Sequence, residues 1–202
     1  MPQISDYISR YMKDAEEICR QIDQTVVERM VNILIESRAA GGRAFFLGVG
    51  GSAGNCGHAV NDFRKIANLE SYAPTDNVSE LTARTNDDGW ETVFAAYLKT
   101  SRLKPHDVVF VFSVGGGNRE KNVSANIVNA LEYAKEIGAN VVGVVGRDGG
   151  YTKKVGDAVV VIPIINSDAV TPHTEAFHAV IWHMVVSHPA FAQNAMKWES
   201  TR

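Results

Sequence analysis

Apolar positions change their spacing several times along the chain, and the changes mark out its elements. Over residues 4–38, Ile8, Met12, Ile18, Ile22, Val26, Val27, Met30, Ile33 and Leu34 recur at three- and four-residue intervals, which predicts helix. Gly41-Gly42 closes that stretch. Residues 43–49 form an apolar run of strand length, followed by Gly50-Gly51-Ser52 and a helix over about 53–67. Residues 71–76 read as a short second strand. A helix starts at 78–83 and breaks near 86–89, and 90–102 reads as helix again. The pattern then repeats. Strands are predicted at 107–114, 140–146 and 157–164. Helices are predicted at 124–137, closed by Gly138, and at 172–187, before Pro189.

The strands are apolar without alternation, so both of their faces are covered. Strands that alternate with helices predict a parallel sheet in a three-layer α/β sandwich. Ligands in such sheets sit beyond the carboxyl ends of the strands. No linker separates the parts, so one domain spans 1–202, with a helical segment at 1–40 and the sheet core at 41–190.

Composition narrows the class. The chain is 45% hydrophobic and 21% charged, which excludes disordered, collagen-like and disulfide-scaffold proteins. The net charge of −3 gives no basic excess for nucleic acid. Two cysteines, Cys19 and Cys56, make no disulfide framework, so a reduced cytoplasmic setting is expected. No signal-like or membrane-spanning apolar run is present, and no membrane partner is expected.

Two glycine loops follow predicted strands. Residues 48–53 (Gly-Val-Gly-Gly-Ser-Ala) open a helix, where unpaired N–H groups suit an anion. The same residues fit a dinucleotide fingerprint ending in Ala53, with Glu70 as the acidic residue, although no second strand clearly ends at Glu70. The second loop runs from Ser113 through Val114 and Gly115-Gly116-Gly117 to Asn118. Ser124 is placed to cap the next helix and face an anion, with Arg119 and Lys121 between as added charge or solvated loop residues. Neither loop ends in the Gly-Lys-Ser/Thr of a P-loop. Two anion-suited loops at one sheet edge favour a phosphorylated small molecule.

Four side chains carry candidate chemistry. His58 and Asp62 are four apart on one helix, and Glu175 and His183 eight apart on the last, a net rotation of roughly 80°. Together they offer N and O donors for a zinc-like cation, or a carboxylate–imidazole set for proton transfer. The alternative is a set of surface or internally satisfied pairs. His178 is read as packing or as orienting Glu175, and His173 as lying near the site mouth. His106 is read as loop surface and Cys56 as a packed thiol. Trp90 and Trp182 are read as core or interface anchors, and Trp198 as tail.

Taken in order, the 48–52 loop, His58, Asn86-Asp87, the Ser113 loop, the 146–150 Gly-Arg-Asp-Gly-Gly turn and the Glu175–His183 pair resemble the sugar isomerase (SIS) domain family, and most closely its phosphoheptose isomerase branch. The resemblance spans about residues 5–188. It implies a five-stranded parallel sheet and a homotetramer with sites between subunits. It also implies one zinc-type ion per subunit, held by His58, Asp62, Glu175 and His183. The implied reaction is aldose–ketose isomerisation of sedoheptulose 7-phosphate to D-glycero-D-manno-heptose 7-phosphate. Asp62 and His183 inherit acid and base roles, with Glu175 as the alternative base. Gly50, Gly51, Ser52, Asn86 and Asp87 map to substrate contacts, and Ser113, Val114, Gly115 and Ser124 to the phosphate loop. The chain departs from the family pattern at Val114 and Gly115, which replace hydroxyl residues. Some six extra residues precede Ser124, and Asp62 is one methylene shorter than the family glutamate. The alternatives are isomerisation of another sugar phosphate, or a non-catalytic SIS regulator or scaffold.

Overall fold

A computed structural model describes residues 4–196. Five parallel strands, β1 (Ala44–Leu47), β2 (Ser71–Tyr72), β3 (Val108–Ser113), β4 (Asn140–Val145) and β5 (Ala158–Val161), lie in the order β2-β1-β3-β4-β5. That order reverses direction between β1 and β3, the switch point at which open α/β sheets hold ligands. The eight helices of the described residues are α1 (Ile4–Gln21), α2 (Gln24–Ala39), α3 (Gly51–Lys65), α4 (Val78–Asp88), α5 (Val93–Thr100), α6 (Ala125–Ile137), α7 (Gly150–Val155) and α8 (Val170–Val186).

Successive strand residues point to opposite faces, so one apolar run serves two cores. Phe46, Phe110 and Phe112 pack with Met30 and Leu34 of α2, Phe63 of α3 and Trp182 of α8. Phe45, Val109 and Val111 pack with Phe94 of α5 and with Ile127 and Leu131 of α6. Asp107, fully buried, accepts from the Arg43 guanidinium at 2.7 Å and joins the starts of β1 and β3.

The three-layer α/β prediction holds, with local differences. The predicted helix over 4–38 is two helices. Asp23 caps α2 by accepting from the Thr25 amide at 3.0 Å, and the apolar period runs through the break. The strand expected at 71–76 is two residues long, because Pro74 opens a turn of 3₁₀ helix at Pro74–Asp76. Residues 78–88 are one helix, capped by Asn77 and closed by Gly89 at φ 88°. The helix expected at 90–102 is shorter, and the strand expected at 157–164 stops before Pro163. The six-residue α7 was not anticipated.

Candidate active site

Helices α3 and α8 lie side by side and carry the candidate residues at two stations. At one, the Nε2 atoms of His58 and His183 lie 3.8 and 3.6 Å from Asp62 Oδ2. Their ligand-type atoms all lie within 4.8 Å of one another. His183 Nδ1 sits 2.8 Å from the Ala179 carbonyl. A carbonyl accepts only, so Nδ1 donates to it and Nε2 is the ring nitrogen that faces Asp62 Oδ2. Trp182 backs the group, with its ring 3.5 Å from that of His183 and 4.7 Å from that of His58. Asn61 donates to Asp62 Oδ1 at 2.9 Å and leaves Oδ2 to the imidazoles. Two imidazole nitrogens and a carboxylate oxygen form a donor set that fits a zinc-type cation.

Glu175 stands at the other station. Its carboxylate lies against Gly51, so closely that a Cβ there would overlap it, and its backbone carbonyl accepts from Asn55 Nδ2 at 3.0 Å. Eight residues rotate by about 80° net but also rise about 12 Å along the axis, which separates Glu175 from the three residues around His183. Gly51 begins α3, so the Glu175 carboxylate sits at the amino end of that helix. The first glycine loop is therefore faced by an anion of the chain itself.

The second loop borders an open cleft of about 640 Å³. Val114, Gly115 and Ser124, which the resemblance assigns to the phosphate loop, are among the residues that line it. Ser113 is buried, and its Oγ accepts from the Gly116 amide at 3.0 Å, shaping the loop from behind. Ser124 takes a left-handed φ of 52° and makes no side-chain cap bond to α6, contrary to the expected cap. Arg119 is drawn off to Glu132 at 3.1 Å, while Lys121 lines the cleft. Arg147, to which the sequence reading gave no role, lines it too. Its place just past β4, at a carboxyl end, was the available signal.

Other expected residues fall elsewhere. Gly50 takes φ 63° before α3, and Ser52 is buried in the first turn. Asn86 and Asp87 are exposed at the end of α4, hydrogen-bonded to each other at 2.8 Å, and do not line the cleft. Glu70 precedes β2 and accepts from Tyr72 at 2.7 Å, so it lies away from the strand end that a dinucleotide ribose requires. His173 is buried under α1, stacked on Tyr11 at 4.2 Å, not at a site mouth. His178 is fully buried on Phe112, and burial pushes its pKa down to about 4. Burial, with the nearby Asp76 charge, pushes the Cys56 thiol up, as suits a packed thiol. Trp182 is core, Trp90 is partly exposed beside Phe94, and Trp198 lies outside the described residues.

Residues 10–146 match the SIS domain family. The Probable phosphoheptose isomerase of Thermoplasma volcanium is 30% identical over 185 residues, covering 89% of each chain. The Lincomycin biosynthesis protein LmbN of Streptomyces lincolnensis is 30% identical over 188 residues, covering 90% of this chain and 68% of its own. The structure of phosphoheptose isomerase GmhA from Neisseria gonorrhoeae superposes with a TM-score of 0.79 at 20% identity, over 91% of this chain and 98% of that one. The chain belongs to the SIS domain family. Its similarity within that family runs to proteins named phosphoheptose isomerase.

Proposed function

We propose that the protein is a sugar-phosphate aldose–ketose isomerase, with sedoheptulose 7-phosphate to D-glycero-D-manno-heptose 7-phosphate as its leading reaction. The observation that carries this reading is the convergence of His58 and His183 on one oxygen of Asp62, in a chain similar to proteins of that name. The reaction moves a proton between C1 and C2. Asp62 takes a proton from C1, and the electron pair forms the C1–C2 double bond of an enediol as the carbonyl oxygen at C2 gains a proton. Return of a proton to C2 and loss of the C1 hydroxyl proton give the aldehyde. His183 exchanges the oxygen protons through Nε2 when no cation occupies that atom. A zinc-type cation held by His58, Asp62 and His183 would take that same Nε2 and would polarise the substrate oxygens in place of the exchange. Glu175 is the alternative base, at the amino end of α3.

The phosphate belongs in the cleft beyond β3. Thr171 at its rim and His183 are twelve residues apart on α8, about 18 Å along the axis. Three backbone bonds span at most ~3.6 Å, so the roughly ten bonds of a heptose phosphate reach only about 12 Å. With the His58–Asp62–His183 group as the reacting end, the cleft of the same chain is therefore too far for one substrate. We place the site between subunits of a homotetramer, with a second copy supplying the missing half. The exposed Ile4, Tyr7, Ile8 and Met12 of α1 give such a copy an apolar face to cover. Val114 and Gly115, without hydroxyls, leave another sugar phosphate as the second reading. Among the described residues no helix is long and apolar enough to cross a membrane.

Proton NMR of a panel of ketose phosphates, with and without zinc, tests the reading. Conversion of one member, faster with zinc and lost in His183→Gln, supports it. No turnover of any member, with a partner protein bound tightly instead, supports a scaffold.

A further inference from the structure

The cleft beyond β3 and β4 keeps the hydroxyl residues Ser124 and Thr171 but lacks the two loop hydroxyls that the SIS resemblance leads one to expect at positions 114 and 115, and it carries charge. Residues 118–123 form a closed turn. Asn118 and Val123 exchange backbone hydrogen bonds at 2.9 and 3.0 Å, and Asn118 Oδ1 accepts from the Lys121 amide at 2.8 Å. The turn holds Lys121 at the cleft, while the neighbouring Arg119 is engaged with Glu132. From the opposite loop comes Arg147, whose backbone takes φ 52°, a left-handed conformation unfavourable to a residue with a Cβ. Its turn is closed by the Gly149 amide on the Gly146 carbonyl at 3.0 Å. Among the described residues, neither the Lys121 nor the Arg147 side chain has a hydrogen-bond or ion-pair partner. The amides of Gly115 and Gly117, both lining the cleft, likewise have no protein acceptor. Gly150 locks the two loops together, since a Cβ there would overlap the Gly115 and Gly117 carbonyls.

We propose that Lys121 and Arg147 are specificity-determining residues that anchor a phosphate monoester dianion by charge, in place of the absent loop hydroxyls. Two cations from separate loops fix a dianion from two sides, and the free loop amides complete its oxygens. Asp148 also lines the cleft, with Oδ1 accepting from the Gly150 amide at 3.1 Å. Its carboxylate disfavours a ligand carrying further negative charge, so the site selects a singly phosphorylated neutral sugar over a diphosphate or a sugar acid. The sugar part of this inference rests on the isomerase reading, whereas the anchoring of phosphate does not.

The test uses the full chain and inorganic phosphate, followed by ³¹P line broadening and thermal shift. The wild type binds phosphate saturably, and binding weakens as salt rises. Lys121→Gln with Arg147→Gln weakens it on the order of tenfold per charge removed. Arg147→Gly removes the charge and the unfavourable φ together, so it remains folded and still loses affinity. Arg119→Gln leaves affinity unchanged. With a turned-over phosphosugar, the double variant raises KM at least tenfold and keeps kcat within a few-fold. Unchanged phosphate affinity in the folded double variant overturns the anchor. Loss of phosphate binding in that variant, in a protein that isomerises nothing, upholds the anchor and sinks the isomerase reading instead.

Discussion

His183 points its Nε2 at Asp62 Oδ2, 3.6 Å away, because the Ala179 carbonyl one turn earlier holds its Nδ1 at 2.8 Å. The helix backbone holds the ring by Nδ1, and that hold sets the direction of Nε2. His183→Gln keeps a polar side chain but removes the base, so turnover should fall by about 10² to 10⁴. The circular dichroism spectrum and melting temperature should stay close to wild type. Full activity in a folded His183→Gln variant would remove its proton-transfer role.

Asp62 joins the two imidazoles, so its charge matters more than its volume. Asp62→Asn should lower zinc affinity at least tenfold, as read by metal content after dialysis against a weak chelator. Asp62→Glu should retain the metal, with the longer arm re-aiming the carboxylate. Equal zinc retention in wild type and Asp62→Asn would show that the three residues hold no cation.

Gly51 has no Cβ, and that space is filled by the Glu175 carboxylate. Gly51→Ala should displace the Glu175 carboxylate, and because that group is the far end of a flexible side chain the cost should stay below about 1 kcal/mol. In Gly51→Ala with Glu175→Ala the overlap is gone, and urea midpoints should show that most of this cost disappears. Additive costs in the double variant would contradict the contact.

Burial holds His178 neutral, with a pKa near 4 against an unperturbed value near 6.5. The lowered folded value means that the unfolded chain takes up its proton first. Stability is therefore fully present above about pH 6.5 and falls as pH drops toward 4, then levels off. The loss amounts to about 3 kcal/mol. His178→Leu should remove that part of the acid sensitivity, measured as the difference in unfolding free energy between pH 7 and pH 4. An unaltered difference would place the titration elsewhere.

The central strands were legible in the sequence because burial on both faces leaves unbroken apolar runs, as over 107–114. The break between α1 and α2 was not, since Ile18, Ile22 and Val26 keep helical spacing across it, and only the Asp23 cap reveals it. The two-residue β2 and six-residue α7 are too short for any period to register. At the site, His58 and Asp62 were legible as an i, i+4 pair. Their meeting with His183 depends on how α3 and α8 pack, which no local pattern encodes. Glu175, about two turns earlier on α8, is not in the group formed by those three. Arg147 stayed hidden because its place at the cleft depends on two loops meeting there.

Incubation of the enzyme and a ketose phosphate in heavy water, followed by proton NMR, measures the proposed chemistry at the carbon where it occurs. Proton transfer through an enediol predicts an aldose phosphate bearing deuterium at C2, together with washout of one C1 proton from the ketose, both abolished in Asp62→Asn and His183→Gln. An aldose formed with no solvent deuterium at C2, or with undiminished exchange in the two variants, would contradict the mechanism assigned to these residues.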